Sequence, residues 1–62
     1  MTFNVLRLPE VKKITGLSRS SIYAMIEKGA FPKQLSLGAR AVGWLEDEIA
    51  EWIKNRAALR GA

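Results

Sequence analysis

The sequence contains no cysteine and no histidine among its 62 residues. The missing cysteines exclude a disulfide framework and a thiolate zinc site. The missing histidines remove the commonest metal ligand and the commonest general acid or base of enzymes. A chain this short also has few residues from which to build a closed catalytic cleft. We therefore expect a protein that is not an enzyme and that uses neither a metal nor a cofactor.

Long apolar runs are absent as well. No stretch approaches the roughly 20 consecutive apolar residues that a membrane-spanning helix requires. No apolar segment follows a basic start in the manner of a signal peptide. The sequence has no repeat, linker or low-complexity tract. We expect a cytoplasmic protein without a membrane partner, folded as one domain over residues 1–62.

Basic residues, in contrast, are abundant, with ten lysines and arginines against six acidic residues. Residues 1–45 contain seven basic and two acidic residues, a net charge of +5, whereas residues 46–62 have a net charge of −1. This distribution favours a polyanion partner, such as double-stranded DNA, that approaches the first part of the chain. Solubility alone is the alternative reason for such a charge.

A short helix is predicted near the start of the chain. Pro9, followed by an acid, occupies a common first helical position. Val11 and Ile14 lie three residues apart and therefore share one face. Gly16 is typical of a helix end with left-handed backbone. The first helix is predicted over residues 9–15.

A second helix follows after a tight turn. Ser18 is a suitable N-cap because its hydroxyl can accept a backbone N–H of the first turn. Gly29 is expected to stop the helix, which predicts a span of about residues 19–28. Its buried stripe is predicted from three apolar residues at spacings of three and four, Ile22, Met25 and Ile26.

The period then changes from that of a helix to that of strands. Leu35 and Leu37 alternate with polar residues, and Val42 and Trp44 alternate with small residues. A short connection containing glycine separates the two segments. This pattern predicts a two-stranded hairpin with one apolar face within residues 33–45.

A third helix is predicted after the hairpin, because acidic residues crowd its first turn and basic residues lie toward its end. Its inward stripe is predicted to be Ile49, Trp52 and Ile53, and both Trp44 and Trp52 are assigned to the core. Near the amino terminus, alternation that includes Phe3 predicts a short third strand over residues 4–6.

The order of these elements predicts a mainly α fold with a small β-hairpin, a winged helix-turn-helix. In a helix-turn-helix, the second helix enters the major groove of DNA with its N-terminal residues nearest the base edges. The residues expected to contact DNA are Ser18, Arg19, Ser20, Ser21, Tyr23, Lys28, Lys33 and Arg40.

Each of these side chains has a physical use on DNA. Arg19 can give two parallel hydrogen bonds to guanine or clamp a phosphate. The serine hydroxyls can meet bases or phosphate oxygens. Tyr23 can donate its hydroxyl to a phosphate and press its ring on a sugar. Arg40, at the tip of the hairpin, can reach the minor groove.

Each of these residues, taken alone, also suits a role that does not involve DNA. The serines can act simply as capping and first-turn residues of the helix, since capping alone accounts for them. Arg19 and Arg40 can be solvated, and Tyr23 can pack on the edge of the core. Lys28 can complement the helix dipole. The combination of these residues is what favours DNA.

The sequence also resembles the AlpA family of small phage-type regulators over nearly its whole length. The segments that carry the resemblance are Leu8-Pro9-Glu10-Val11, Thr15-Gly16-Leu17-Ser18-Arg19-Ser20-Ser21-Ile22-Tyr23, Gly29-Ala30-Phe31-Pro32-Lys33, Val42-Gly43-Trp44 and Ile49-Ala50-Glu51-Trp52-Ile53. Such proteins are similar to excisionases and to the DNA-binding part of MerR regulators. The resemblance implies a winged helix-turn-helix in a prophage or genomic-island regulator, associated with the bacterial nucleoid. It also implies that the helix opening at Ser18 is the recognition helix and that Arg40 is a contact of the wing.

One residue departs from the family pattern. Many relatives have a basic residue directly after the tyrosine, where this chain has Ala24. The departure implies that one phosphate or base contact is missing, with weaker binding or a different specificity.

Three functions remain open from the sequence. The first is a sequence-specific transcriptional regulator. The second is a recombination directionality factor that bends attachment-site DNA and assists an integrase, where contact with a second copy of the chain would matter. The third is a protein-interaction module whose basic face grips an acidic protein. The first two use the same surface, and only the third predicts no retention on DNA at low salt.

Overall fold

The computed structural model describes residues 4–60 of the chain. Its elements in chain order are β1 (Val5–Leu6), α1 (Leu8–Thr15), α2 (Arg19–Glu27), β2 (Leu35–Gly38), β3 (Ala41–Leu45) and α3 (Glu46–Arg60). This mainly helical architecture, with a hairpin directly after a helix-turn-helix, confirms the predicted winged helix-turn-helix. No helix within residues 4–60 combines the length and the apolar character that crossing a bilayer requires.

Helix α1 begins one residue earlier than predicted, at Leu8, and ends at Thr15 as expected. The Glu10 carboxylate accepts the backbone N–H of Arg7 at 3.1 Å, which satisfies one of the donors left free at a helix start. Gly16 has a φ of 74°, and its N–H donates to the carbonyl of Lys12 at 2.8 Å. This left-handed residue turns the chain so that α2 can begin after three residues.

Helix α2 ends at Glu27, one residue before the predicted end, and Lys28 is its C-cap. The N–H groups of Gly29 and Ala30 donate to the carbonyls of Ile26 and Met25, at 3.0 and 2.8 Å, which closes the last turn. The predicted stripe faces the core. Ile22 is fully buried, while Met25 and Ile26 are half-buried against it.

The three strands form an antiparallel sheet in the order β1-β3-β2. The third strand predicted over residues 4–6 is confirmed as Val5–Leu6, which pairs Val5 with Leu45 and Leu6 with Trp44. Phe3, which the same alternation included, lies outside the described residues. The central strand of the sheet is β3, and its Trp44 side chain is fully buried in the core.

The hairpin does not have the single apolar face that was predicted. Leu35 pairs with Gly43, so its side chain lies on the sheet face opposite that of Val42 and Trp44. Directly paired residues of an antiparallel sheet share a face, and neighbouring residues of a strand alternate. A register shift between Ser36 and Gly38 interrupts the pairing at Leu37. Leu35 and Leu37 are accordingly 37% and 44% exposed, because they cover the outer face and not the core.

The core is made by six buried side chains, from β1, the three helices, β3 and the connection after α2: Leu6, Val11, Ile22, Phe31, Trp44 and Ile49. The prediction for Trp44 is therefore confirmed. Trp52 only half enters the core, since its ring packs edge-on against Phe31 at 4.8 Å and its indole N–H reaches the carbonyl of Ala30 at 2.8 Å. Phe31 was not predicted as a core residue.

Val11 and Ile14 were predicted to share one face of α1, but only Val11 enters the core. Val11 is fully buried, whereas Ile14 is 51% exposed. Ile14 lies almost one helical turn beyond Val11, where α1 no longer packs on the core. There it borders an open groove with Met25 and Ile53.

Helix α3 follows β3 without a connecting residue. The Glu46 N–H donates to the carbonyl of Asn4 at 2.8 Å, and the Asn4 amide donates to the Glu46 carboxylate at 3.1 Å. These bonds fix the start of α3 beside β1. Its predicted inward stripe is confirmed, with Ile49 buried and Trp52 and Ile53 packed at the margin of the core.

Candidate nucleic-acid interface

The start of α2 is held by two serines. The Ser18 hydroxyl accepts the backbone N–H of Ser21 at 3.1 Å and donates to the Ser21 hydroxyl at 3.0 Å. Ser18 thus acts as the predicted N-cap. A hydroxyl such as that of Ser21 can form further hydrogen bonds besides the one to Ser18. Ser18 and Ser21 are both exposed.

The backbone donors of this turn add to the same surface. The Ile22 N–H donates to the Ser18 carbonyl, the first bond of the helix. The N–H groups of Arg19 and Ser20 precede that bond and have no partner inside a helix. Together with the positive end of the helix dipole, they favour an anion at this end of α2.

Arg19 and Ser20 are exposed on the first turn, as predicted, whereas Tyr23 is half-buried. The guanidinium carbon of Arg19 lies 5.6 Å from the centre of the Tyr23 ring. The Tyr23 ring meets the Trp44 ring edge-on at 6.4 Å. The alternative role of Tyr23, packing on the edge of the core, is therefore seen, and the Arg19 side chain rests on the part of the ring that remains accessible.

The remaining expected contacts are spread over the molecule. Lys28 caps the far end of α2, about 15 Å along the helix axis from Ser18. Lys33 lies in the connection between α2 and β2, and Arg40 lies in the turn between β2 and β3. All three side chains are exposed. The structure thus groups the residues of the α2 start into one cluster and places these three on separate elements.

The acidic side chains are concentrated elsewhere, in the first turn of α3, at Glu46, Asp47 and Glu48. The exposed basic residues of α1, Lys12 and Lys13, lie in its last turn, ahead of the turn that leads into α2. The acidic first turn of α3 and the basic last turn of α1 therefore lie on different elements of the fold. A polyanion would be attracted to the helix-turn-helix and repelled by the start of α3.

Sequence reasoning missed two contacts of aromatic rings, one beneath this surface and one on α3. Trp44 supports the Tyr23 ring from β3, and its indole N–H donates to the carbonyl of Pro32 at 3.0 Å. Arg56 places its guanidinium 5.0 Å from the centre of the Trp52 ring. No local spacing signals the first contact, since Tyr23 and Trp44 lie in different elements. The second follows the i, i+4 spacing of a helix and was open to detection.

Comparisons with known proteins agree with this architecture. Residues 4–57 match the family model described as prophage CP4-57 regulatory protein (AlpA). The chain is 53% identical over 55 residues to the uncharacterized protein ORF88 of Enterobacteria phage P4, which covers 89% of this chain and 62% of that protein. It is 41% identical over 61 residues to the DNA-binding transcriptional activator AlpA of Escherichia coli K12, which covers 89% of this chain and 87% of that protein. The chain thus spans less than two thirds of the phage relative.

Proposed function

The chain belongs to the AlpA family of prophage regulatory proteins, and on that basis we propose that it is a sequence-specific regulator of transcription that binds double-stranded DNA. In this proposal, α2 lies in the major groove and the β2–β3 hairpin is a wing that reaches the adjacent minor groove. The Escherichia coli relative is described as a DNA-binding transcriptional activator, which supports both the ligand and the regulatory role.

The observation that carries the proposal is the exposed start of α2. Ile22 is fully buried, so the helix is fixed to the core by one side. Arg19 and Ser20 are exposed on the same first turn. An arginine and a serine at the N-terminal end of a recognition helix stand where base edges and phosphates are met. Arg19 is the residue that we assign to base recognition, with guanine as its expected partner.

The wing supplies the second contact of the proposed complex. Arg40 is exposed in a tight turn between Gly38 and Ala41, the last pair of the hairpin. A single arginine flanked by small residues can enter a narrow minor groove, where the negative potential is strongest. Lys28 and Lys33 are assigned to phosphates, as are the hydroxyl groups of Ser20 and Ser21.

Salt dependence of DNA binding tests the proposal. If about five basic side chains neutralise phosphates, the logarithm of affinity should fall against the logarithm of salt concentration with a slope near −4 to −5. The candidates from which these five would come are Arg7, Lys12, Lys13, Arg19, Lys28, Lys33 and Arg40. Fluorescence anisotropy with a labelled duplex gives this slope directly.

Two arginine variants form a matched pair for the same experiment. Arg40→Ala should weaken binding and reduce the slope by about one, because one positive charge is removed from the proposed DNA-binding surface. Arg60→Ala removes another exposed arginine, from the end of α3, and should leave both values unchanged. No retention on any duplex at low salt would contradict the proposal and would favour a protein-interaction module.

A further inference from the structure

The Arg19 side chain lies over an aromatic ring in this structure. Its guanidinium carbon lies 5.6 Å from the centre of the Tyr23 ring, one helical turn further along α2. A guanidinium at this distance over an aromatic face is attracted by the electrons of the ring. The contact therefore favours one direction of the Arg19 side chain over the others.

The Tyr23 ring is itself held by contacts with the core. It packs against the core and meets the Trp44 ring edge-on, at 6.4 Å and an interplanar angle of 62°. Trp44 is fully buried, and its indole N–H is bound to the carbonyl of Pro32 at 3.0 Å. A series of contacts thus leads from Trp44 in β3 through the Tyr23 ring to Arg19 on the surface of α2.

We propose that Tyr23 is a positioning residue that holds the Arg19 guanidinium in the orientation needed to read DNA. The proposal rests on the DNA-binding function proposed above. The hydrogen-bond donors of a guanidinium lie in its plane, so stacking one face on a ring leaves them available. A side chain that is already ordered loses less conformational freedom when it binds.

This role differs from a direct contact between the Tyr23 hydroxyl and a phosphate. A direct contact contributes to affinity whether or not Arg19 is present. A positioning residue acts only through Arg19, so its effect disappears when Arg19 is removed. A double-mutant cycle separates the two cases.

The cycle compares the wild type, Tyr23→Leu, Arg19→Ala and the double variant on the preferred duplex. Tyr23→Leu should lower affinity about two- to fivefold, the loss that corresponds to an exposed cation–π contact. It should also weaken the base preference at the position that Arg19 reads. In the Arg19→Ala background, Tyr23→Leu should change affinity by less than about twofold. Losses that simply add would overturn the proposal.

Tyr23→Phe is the conservative control, since it keeps the ring and removes only the hydroxyl. It should retain the affinity and the base preference of the wild type. A loss as large as that of Tyr23→Leu would assign the effect to the hydroxyl and overturn the positioning role. The melting temperature of each variant separates these effects from a loss of folded protein.

A second measurement does not depend on the leucine variant folding. In the free protein, the side-chain protons of Arg19 should show a ring-current shift in the NMR spectrum, in the wild type and in Tyr23→Phe alike. Random-coil shifts for these protons would overturn the proposal. A wild type that binds no DNA would overturn the proposed function even if the ring-current shift is present, whereas binding with additive losses would overturn this inference alone.

Discussion

The side chain of Val5 lies directly over Gly43, from the neighbouring strand of the sheet. A Cβ atom added at position 43 would stand 2.5 Å from Cγ1 of Val5 and 3.0 Å from Cδ1 of Leu37. A larger residue at position 43 would therefore force neighbouring atoms to move, because apolar side chains of the outer sheet face pack directly on the Gly43 backbone. β1 pairs with residues 44–45 of β3 and β2 pairs with residues 41–43.

We expect Gly43→Ala to lower the free energy of unfolding by about 1–3 kcal/mol, as other overpacked sites do. Urea denaturation measures the change. Val5→Ala removes the methyl group that clashes, and Val5 is 40% exposed, so that variant should cost little alone. The double variant should recover part of the loss, whereas an unchanged deficit would show that Val5 is not the cause.

Ile22 and Ile14 form a matched pair for the packing of the helix-turn-helix. Ile22 is fully buried and Ile14 is 51% exposed. Ile22→Ala should lower the free energy of unfolding by about 2–5 kcal/mol, as buried aliphatic truncations do. Ile14→Ala should cost less than about 1 kcal/mol, because little apolar area is lost from the interior. Equal losses in thermal unfolding would refute the helix phase described here.

Ser18 offers a way to separate capping from DNA contact. Ser18→Ala should lower stability by about 1 kcal/mol, because the Ser21 N–H loses its acceptor. Ser18→Asp should keep the cap and therefore the stability. The new carboxylate should nevertheless weaken DNA binding at low salt by about 1 kcal/mol, through repulsion of a nearby phosphate. Full DNA affinity in Ser18→Asp would place Ser18 away from the DNA.

Ala24 is exposed on α2, one residue after Tyr23. Ala24→Lys should strengthen DNA binding and steepen the salt dependence by about −0.9, the value for one added phosphate contact. Ala50→Lys makes the same exchange at an exposed position of α3 and serves as the control. Identical gains for the two variants would indicate only a general effect of charge. That result would contradict the placement of α2 at the DNA.

Local chemistry made much of this fold predictable. The N-cap at Ser18 and the left-handed residue at Gly16 act on their own helix ends, and those ends were predicted to within one residue. The period of three and four along α2 identified Ile22 as buried for the same reason. Such signals depend on neighbours in the chain, which a sequence displays.

The features that the sequence did not reveal concern contacts between distant segments. The face of Leu35 depends on its pairing with Gly43 and on the register shift at Leu37, and alternation within one strand cannot reveal either. The exposure of Ile14 depends on where the core ends. The place of Tyr23 depends on Trp44, which reaches it from the sheet. Sequence reasoning therefore proposed the residues of the candidate interface but could not reveal the contact between Tyr23 and Trp44.

The most direct test of the proposed function is a selection of bound sequences from random duplex DNA, performed with the wild type and with Arg19→Ala. The wild type should enrich one motif, and Arg19→Ala should lose the preference for guanine at one position while it keeps the rest. A wild type that enriches no motif, or an Arg19→Ala variant with an unchanged preference at every position, would contradict base recognition by the start of α2.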